Sequence, residues 1–353
     1  MNAATPPPRS LDRDLVASYR TIVTRESRGD WDALRRRVGC AATLGARAFL
    51  EKDRSAWEVV QLAELRLQRR GGARPTDVGD VAVLSELYRI EESTIALESP
   101  PPNLDAEAFC SFLAEQIKVH SSADGELASV MTRGGLSTED WMYFGYQWLP
   151  TAIEFTRTIA LSSLSVPRAQ ARLMYQNLYD EVGRGDWQRG HYVQLCRFLE
   201  PFGVRVDDED ALLDWSTPEA LALANCELRM LWHREPGWGL GSMYLAERLV
   251  PSELGKVREA ALQMQLGEAR MAFLDEHVEL DVQHGEDWLG IIRDLLVTPD
   301  DQRIAYNAAL QRGRAQRAAW ESAYDGWRHW KQTGAAPRVP ARELGDAVAG
   351  ADR

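Results

Sequence analysis

The stretch FLDEHVELDVQHGEDW, residues 273–288, decides how the rest of the chain is read. His277, Asp281 and His284 stand at i, i+4 and i+7, and at about 100° per residue they fall within roughly 60° of one another on one helical face. Phe273 and Trp288 share that stripe, while Asp275, Glu276, Glu279 and Glu286 decorate the other sides. Two imidazoles and a carboxylate on a face bordered by aromatics are either an inward-facing metal ligand set or a hydrogen-bonded core cluster.

The same helical period runs outward in both directions. Strand signals are scarce, and segments rich in Ala, Leu, Arg, Glu and Gln repeat their apolar residues at spacings of three and four. Helices are predicted over residues 11–25, 30–51, 54–70, 79–97, 105–118, 124–133, 138–163, 167–182, 186–201, 209–214, 217–234, 240–249, 252–267, 268–296 and 299–332, so the fold class is all-α. Residues 1–9 read as a Pro-rich lead, with Gly71, Gly72 and Pro75 as punctuation. The run Ser99-Pro100-Pro101-Pro102-Asn103 cannot continue a helix and serves as a linker. It divides the chain into a helical amino-terminal region (1–98), a main domain (104–300), a carboxy-terminal helix (301–333) and a flexible tail (334–353). Arg-Gly-Asp-Trp occurs twice, at 28–31 and 184–187, and marks helix starts, with Asp30 and Asp186 as N-caps.

Three further segments carry acids or imidazoles in apolar settings. In NLYDEVGRGDWQRGHYVQL, Glu181 closes one helix before Gly183, Asp186 caps the next and His191 follows, so a tight break brings a carboxylate and an imidazole to one point. An ordinary exposed Glu and a half-buried His is the plainer reading. Glu247 sits among Gly241, Met243, Tyr244, Leu245 and Leu249, where a buried acid needs a partner, with Arg248 the plain one. Glu154 is the only acid between Asp140 and Asp180; it either turns inward to a cation or pairs with Arg157.

Composition excludes several function classes. The chain has 353 residues, 45% hydrophobic and 27% charged, enough for a substantial core. Its 53 acids against 41 Lys and Arg give a formal charge of −12, which speaks against nucleic acid or an anionic membrane as partner. The amino terminus lacks the apolar core of a signal peptide, and no run reaches the about 18 apolar residues of a membrane span. Cys40, Cys110, Cys196 and Cys226 form no CxxC pair, so neither a zinc ribbon nor a disulfide framework is expected, and a cytoplasmic location fits.

Glu181, His191, Glu247, His277, Asp281 and His284 together make a donor set of carboxylate oxygens and imidazole nitrogens without thiolate. That set exceeds what one tetrahedral zinc needs and suits two iron or manganese ions within a helical bundle. The order Glu181, His191, Glu247, then His277-x-x-x-Asp281-x-x-His284, with NLYDEVGRGD and Gly-x-x-Tyr-x-x-Glu before Glu247, resembles the haem-oxygenase-like non-haem diiron oxidases and oxygenases over roughly residues 105–300. Within that family the spacing is most similar to the N-oxygenases, such as the central domain of the streptozotocin N-nitrosating enzyme and the 2-aminoimidazole N-oxygenase.

The resemblance implies a haem-oxygenase-like bundle holding two Fe ions on the six named residues, one carboxylate bridging, with Glu154 as a further candidate ligand. It implies O2 as co-substrate, a small amine, guanidine or amino-heterocycle as substrate, an external electron donor, and a homodimer. Tyr175, Tyr179, Trp238, Tyr244 and Trp288 lie near the ligands in sequence, either lining a pocket or packing the core. Two rival readings stand beside this one: oxidative C–C cleavage or decarboxylation of an amino or fatty acid at the same site, and a helical interaction protein whose acids and histidines are structural.

Overall fold

The computed structural model describes residues 12–24, 30–69 and 77–334. The Pro-rich lead, Gly71, Gly72 and Pro75, Arg28 and Gly29 of the first Arg-Gly-Asp-Trp, and residues 335–353 of the tail lie outside them. Every regular element among the described residues is helical. The amino-terminal region holds α1 (Arg13–Val23), α2 (Trp31–Gly45), α3 (Arg54–Arg69) and α4 (Val78–Ser93). After the triple proline come α5 (Ala106–His120), α6 (Glu126–Arg133), α7 (Thr138–Ala152), α8 (Phe155–Ser162), α9 (Arg168–Glu181) and α10 (His191–Leu199). The chain continues through α11 (Glu209–Trp215), α12 (Pro218–Met230), α13 (Pro236–Leu262), α14 (Glu268–Leu295) and α15 (Pro299–Thr333).

Local chemistry sets these boundaries. Asp30 accepts the Ala33 amide at the start of α2, and Ser137 and Asp140 form a reciprocal capping box on α7. Thr217 and Thr298 cap α12 and α15, each followed by the proline that favours a first helical position. The single helix expected over 138–163 is in fact two. Pro150 cannot donate to the carbonyl of Tyr146, and the Ser216 hydroxyl takes that carbonyl instead at 2.8 Å; the helix then breaks between Ala152 and Phe155. Conversely, the helices expected at 240–249 and 252–267 are one element, α13, which carries Pro251 inside it. Asp186 caps only a 3-10 turn, Trp187–Arg189, and α10 starts at His191 with Gly190 as N-cap.

The long hairpin of α13 and α14 packs against α15 to form the centre of the molecule. Gly241 permits the closest approach: a Cβ there would sit 2.1 Å from the backbone oxygen of Ala305. Around this hairpin one apolar cluster collects Phe109 of α5, Ile159 of α8, Met174 of α9, and Trp288 and Ile292 of α14. A second runs from Leu15, Tyr19 and Val59 in the amino-terminal helices to Trp141, Phe198 and Leu221 in the main bundle. The extended segment after α4 is held to α15 by Asn307, which accepts from the Glu98 amide at 2.8 Å and donates to the Glu98 carbonyl at 2.7 Å. No described helix is long and apolar enough to cross a membrane.

Candidate metal centre

The break between α9 and α10 is built to fold back on itself. Gly183 has φ +87°, and a Cβ there would lie 2.2 Å from the Asp186 oxygen and 2.6 Å from the Gly190 nitrogen, so only glycine fits. The fold-back sets the last residue of α9 against the first of α10: Glu181 Oε2 lies 2.7 Å from His191 Nδ1, both buried. From the other side α14 presents His277, Asp281 and His284 inward, as their spacing predicts, and α13 supplies Glu247, which is fully buried.

Five of these six side chains meet as two groups sharing one residue, and Glu247 lies beside the second group. Glu181, His191 and His277 bring one ligand atom each within 4.8 Å of one another, and so do Glu181, Asp281 and His284. His277 Nδ1 lies 2.6 Å from the Phe273 carbonyl, which can only accept, so Nδ1 carries the proton and Nε2 the lone pair. That Nε2 is 2.8 Å from His191 Nδ1. Ligands 2.0–2.1 Å from one ion at right angles stand about 2.9 Å apart, so this spacing is that of neighbouring positions around a metal. In the second group His284 Nδ1 lies 3.5 Å from Asp281 Oδ1 and 3.6 Å from Glu247 Oε2.

The residues fit a pair of cations on a second ground. Glu181 Oε2, Glu247 Oε2, Asp281 Oδ2 and His284 Nδ1 are all buried without a properly aligned hydrogen bond. A buried polar atom left so costs about 1–3 kcal/mol, and positive partners held between these side chains would relieve that cost. The protonation equilibria agree. Burial pushes the Asp281 carboxyl well up, with Glu247 beside it adding to the rise, and burial raises Glu247 likewise against the pull of His284. Burial would lower His284, but the close Asp281 and Glu247 carboxylates, 3.5 and 3.6 Å from its Nδ1, push it up to about 11. Burial also acts against ionisation of Glu181, yet His191, His277 and His284 together hold it well below the usual carboxylate range. Protons held by such a cluster are what a divalent cation displaces.

Two supporting residues carry no signal in the motif order. Asn177, one turn before Glu181 on α9, donates to Glu247 Oε1 at 2.7 Å, and Asp180 Oδ2 lies 3.4 Å from His284 Nε2. The i, i+4 relation of Asn177 to Glu181 is the one clue the sequence offers. Glu154 is placed elsewhere. The break between α7 and α8 puts its buried carboxylate 3.1 Å from Arg157 and 3.5 Å from Arg69, outside both groups.

A cavity of about 90 Å³ adjoins the centre, touching His191, His277 and Asp281. Its aromatic walls are Trp148, Phe155, Phe198, Phe273 and Trp320. Phe273 of the ligand stripe lines it, but none of Tyr175, Tyr179, Trp238, Tyr244 and Trp288 does. Tyr175 and Tyr179 are exposed, Tyr244 and Trp288 belong to the apolar core, and Trp238 stacks on His233.

Comparison with known proteins bears on the family and the fold. Residues 142–317, about half of the chain, match a family described as an iron-containing redox enzyme. A TenA homologue from Pseudomonas syringae pv. tomato superposes with TM-score 0.53 at 15% identity, over 65% of this chain and 100% of its own. A domain of unknown function with a haem-oxygenase-like fold from Shewanella denitrificans does so with TM-score 0.50 at 16% identity, over 67% of this chain and 99% of its own. A CADD-like protein of unknown function from Nostoc punctiforme gives 0.50 at 16% identity, covering 62% and 95%. No curated protein matches in sequence. At these identities the likeness shows the fold: an all-α, haem-oxygenase-like bundle preceded by additional helices.

Proposed function

We propose, from a chain whose fold is haem-oxygenase-like and whose residues 142–317 match a family of iron-containing redox enzymes, that this protein is a non-haem diiron oxygenase acting on the nitrogen of a small amine, guanidine or amino-heterocycle. The observation that carries the reading is the pair of donor groups with Glu181 in common. One ion would be held by Glu181, His191 and His277, the other by Glu181, Asp281 and His284 with Glu247 beside them. Bound there, iron would supply O2 activation and the redox change, chemistry no side chain of the set can perform alone.

The chain's own contribution is positioning and exclusion of water. Phe273, through its carbonyl, fixes the tautomer of His277; Asn177 holds one oxygen of Glu247 and leaves the other free to ligate. Neutral imidazoles would keep the charge of the centre moderate, and the carboxylates would stabilise the oxidised metal. The apolar side of the cavity, including Phe155, Leu195 and Phe198, keeps bulk water from the reacting end of the substrate. The cavity's size suits a small molecule rather than a long acyl chain, which supports an amine over a fatty acid.

The test is anaerobic loading with Fe(II), metal analysis, and exposure to O2 and a reductant with candidate amines. Two irons per chain and products that gain oxygen on nitrogen are expected. Loss of CO2 or of a carbon fragment without oxygen on nitrogen would instead establish the cleavage reaction. Absence of stoichiometric iron would overturn the enzymatic reading altogether.

A further inference from the structure

The cavity beside the metal centre has a second polar wall that the reading above does not use. Arg312 of α15 donates through Nε to Glu227 Oε1 of α12 at 2.6 Å and through Nη1 to Gln316 Oε1 at 2.5 Å. Gln316 in turn donates to Glu253 Oε2 of α13 at 2.5 Å, and Glu253 Oε1 accepts the Ser122 amide at 3.0 Å. All four side chains are at least nine-tenths buried, and all four line the cavity. Two carboxylates face one guanidinium, whose Nε and Nη1 are already engaged, and Glu227 Oε2 is buried with no hydrogen bond. An anion brought here would meet both carboxylates; a cation would satisfy the unpartnered oxygen.

The approach to this wall has the same sign. A groove of about 550 Å³ runs between the start of α6 and α15, with Asp124, Glu126, Glu321 and Asp325 against the single cation Arg317. Trp320 borders the groove and the cavity alike, and Ser122, which lines the groove, is the residue whose amide holds Glu253. The groove and the cavity therefore have one indole as their common wall. Glu253 follows Glu247 by six residues on α13, about 9 Å along the helix axis, so a short molecule reaches from the wall to the metal ligands.

We propose that Glu227 and Glu253 bind the protonated end of the substrate, an alkylammonium, amidinium or guanidinium group, and that the substrate enters through the acidic groove past Trp320. The assignment rests on the reading of this cavity as the substrate site of a metal-dependent oxygenase, and it adds what the far end of that substrate must be. Arg312 and Gln316 are positioning residues that hold the two carboxylates at the wall. The burial that raises Glu253 to about 7 is consistent with this, because an arriving cation supplies the charge that the carboxylate otherwise lacks.

Binding without turnover tests the proposal. n-Butylguanidine and n-pentylamine are titrated into the iron-free and the iron-loaded protein beside hexanol and hexanoate of similar length. Tryptophan fluorescence, with Trp148 and Trp320 in the cavity wall, and calorimetry give the Kd. Both cations are expected to bind, hexanol and hexanoate to bind at least about tenfold more weakly, and Glu227→Gln to weaken the cations by a similar factor. Glu253→Gln, checked like the first variant for native circular dichroism and unfolding midpoint, should weaken them as well and carries the test if the first misfolds. Glu321→Lys on the groove rim should slow association several-fold and leave dissociation unchanged. Hexanoate binding as tightly as the cations, or unaltered cation binding in the folded Gln variants, overturns the recognition. An unchanged association rate in Glu321→Lys overturns the entry route. Cation binding as described with no oxidised product would refute the oxygenase reading and leave the recognition standing.

Discussion

At the scale of single residues, the two donor groups make unequal demands on their members. Glu181 serves both, so Glu181→Ala is expected to prevent binding of either ion, whereas Glu247→Ala should spare the ion held by His191 and His277. Metal analysis after desalting separates the two outcomes. Asn177→Ala removes the donor that orients Glu247 and should lower metal affinity about 10–100-fold, the usual effect of losing an outer hydrogen bond to a ligand. Glu154→Gln should leave metal content unaltered, since the two arginines and not the centre neutralise this carboxylate. That the six candidate side chains come to one buried region was legible because helical spacing fixes which side chains share a face, and because acids in apolar segments are rare enough to stand out. Glu154 was ambiguous for a physical reason. An acid in an apolar helix signals a buried positive partner without saying whether it is a metal or a guanidinium, and Arg69 lies 85 positions away in the sequence.

At the scale of elements, helix existence follows from sequence while helix continuity depends on contacts made elsewhere. Pro150 and Pro251 look alike in the sequence, yet α7 ends two residues after Pro150 and α13 runs eleven residues past Pro251. What differs is the setting: α13 is pinned along its length between α14 and α15, and that packing outweighs a lost backbone bond. The closest of those contacts predicts a contrast between two glycines. Gly241→Ala would drive a methyl into the backbone of Ala305, which cannot turn aside, and should cost about 1–3 kcal/mol or more of unfolding free energy. Gly285→Ala meets only the arm of Arg248, 2.2 Å away at Cδ, a partly exposed flexible side chain that can yield while its tip stays near Glu286, its 2.9 Å ion-pair partner. There the gain of about 1 kcal/mol in helix propensity should offset the displacement. Urea unfolding of the iron-free variants measures both.

At the scale of the whole molecule, stability should carry the mark of the second polar wall. Burial raises Glu253 from 4.5 to about 7 against the Ser122 amide, Gln316 and Arg312. A group whose folded value lies above its unfolded one contributes stability in full below about pH 4.5 and loses that contribution as the pH climbs to about 7. Glu253→Gln cannot ionise, so its stability relative to the native protein should rise by up to about 3 kcal/mol between pH 4.5 and pH 8, measured by urea unfolding at both. Composition could announce a large all-α chain, but not that the residues on either side of the triple proline share one apolar interior, because that interior is assembled from contacts distant in sequence. Helix α15 joins these parts. It carries the polar wall at Arg312 and Gln316, one side of the entry groove at Trp320 and Glu321, and, through Asn307, the clasp on the segment that leads out of the amino-terminal helices. Shortening the protein to residues 142–317, the span that matches the family, would therefore leave Asn307 without Glu98 and end α15 short of Trp320, the wall common to cavity and groove. A version trimmed in this way for crystallisation or screening is expected to bind iron, by metal analysis, and to bind n-butylguanidine more weakly than the full chain, by calorimetry.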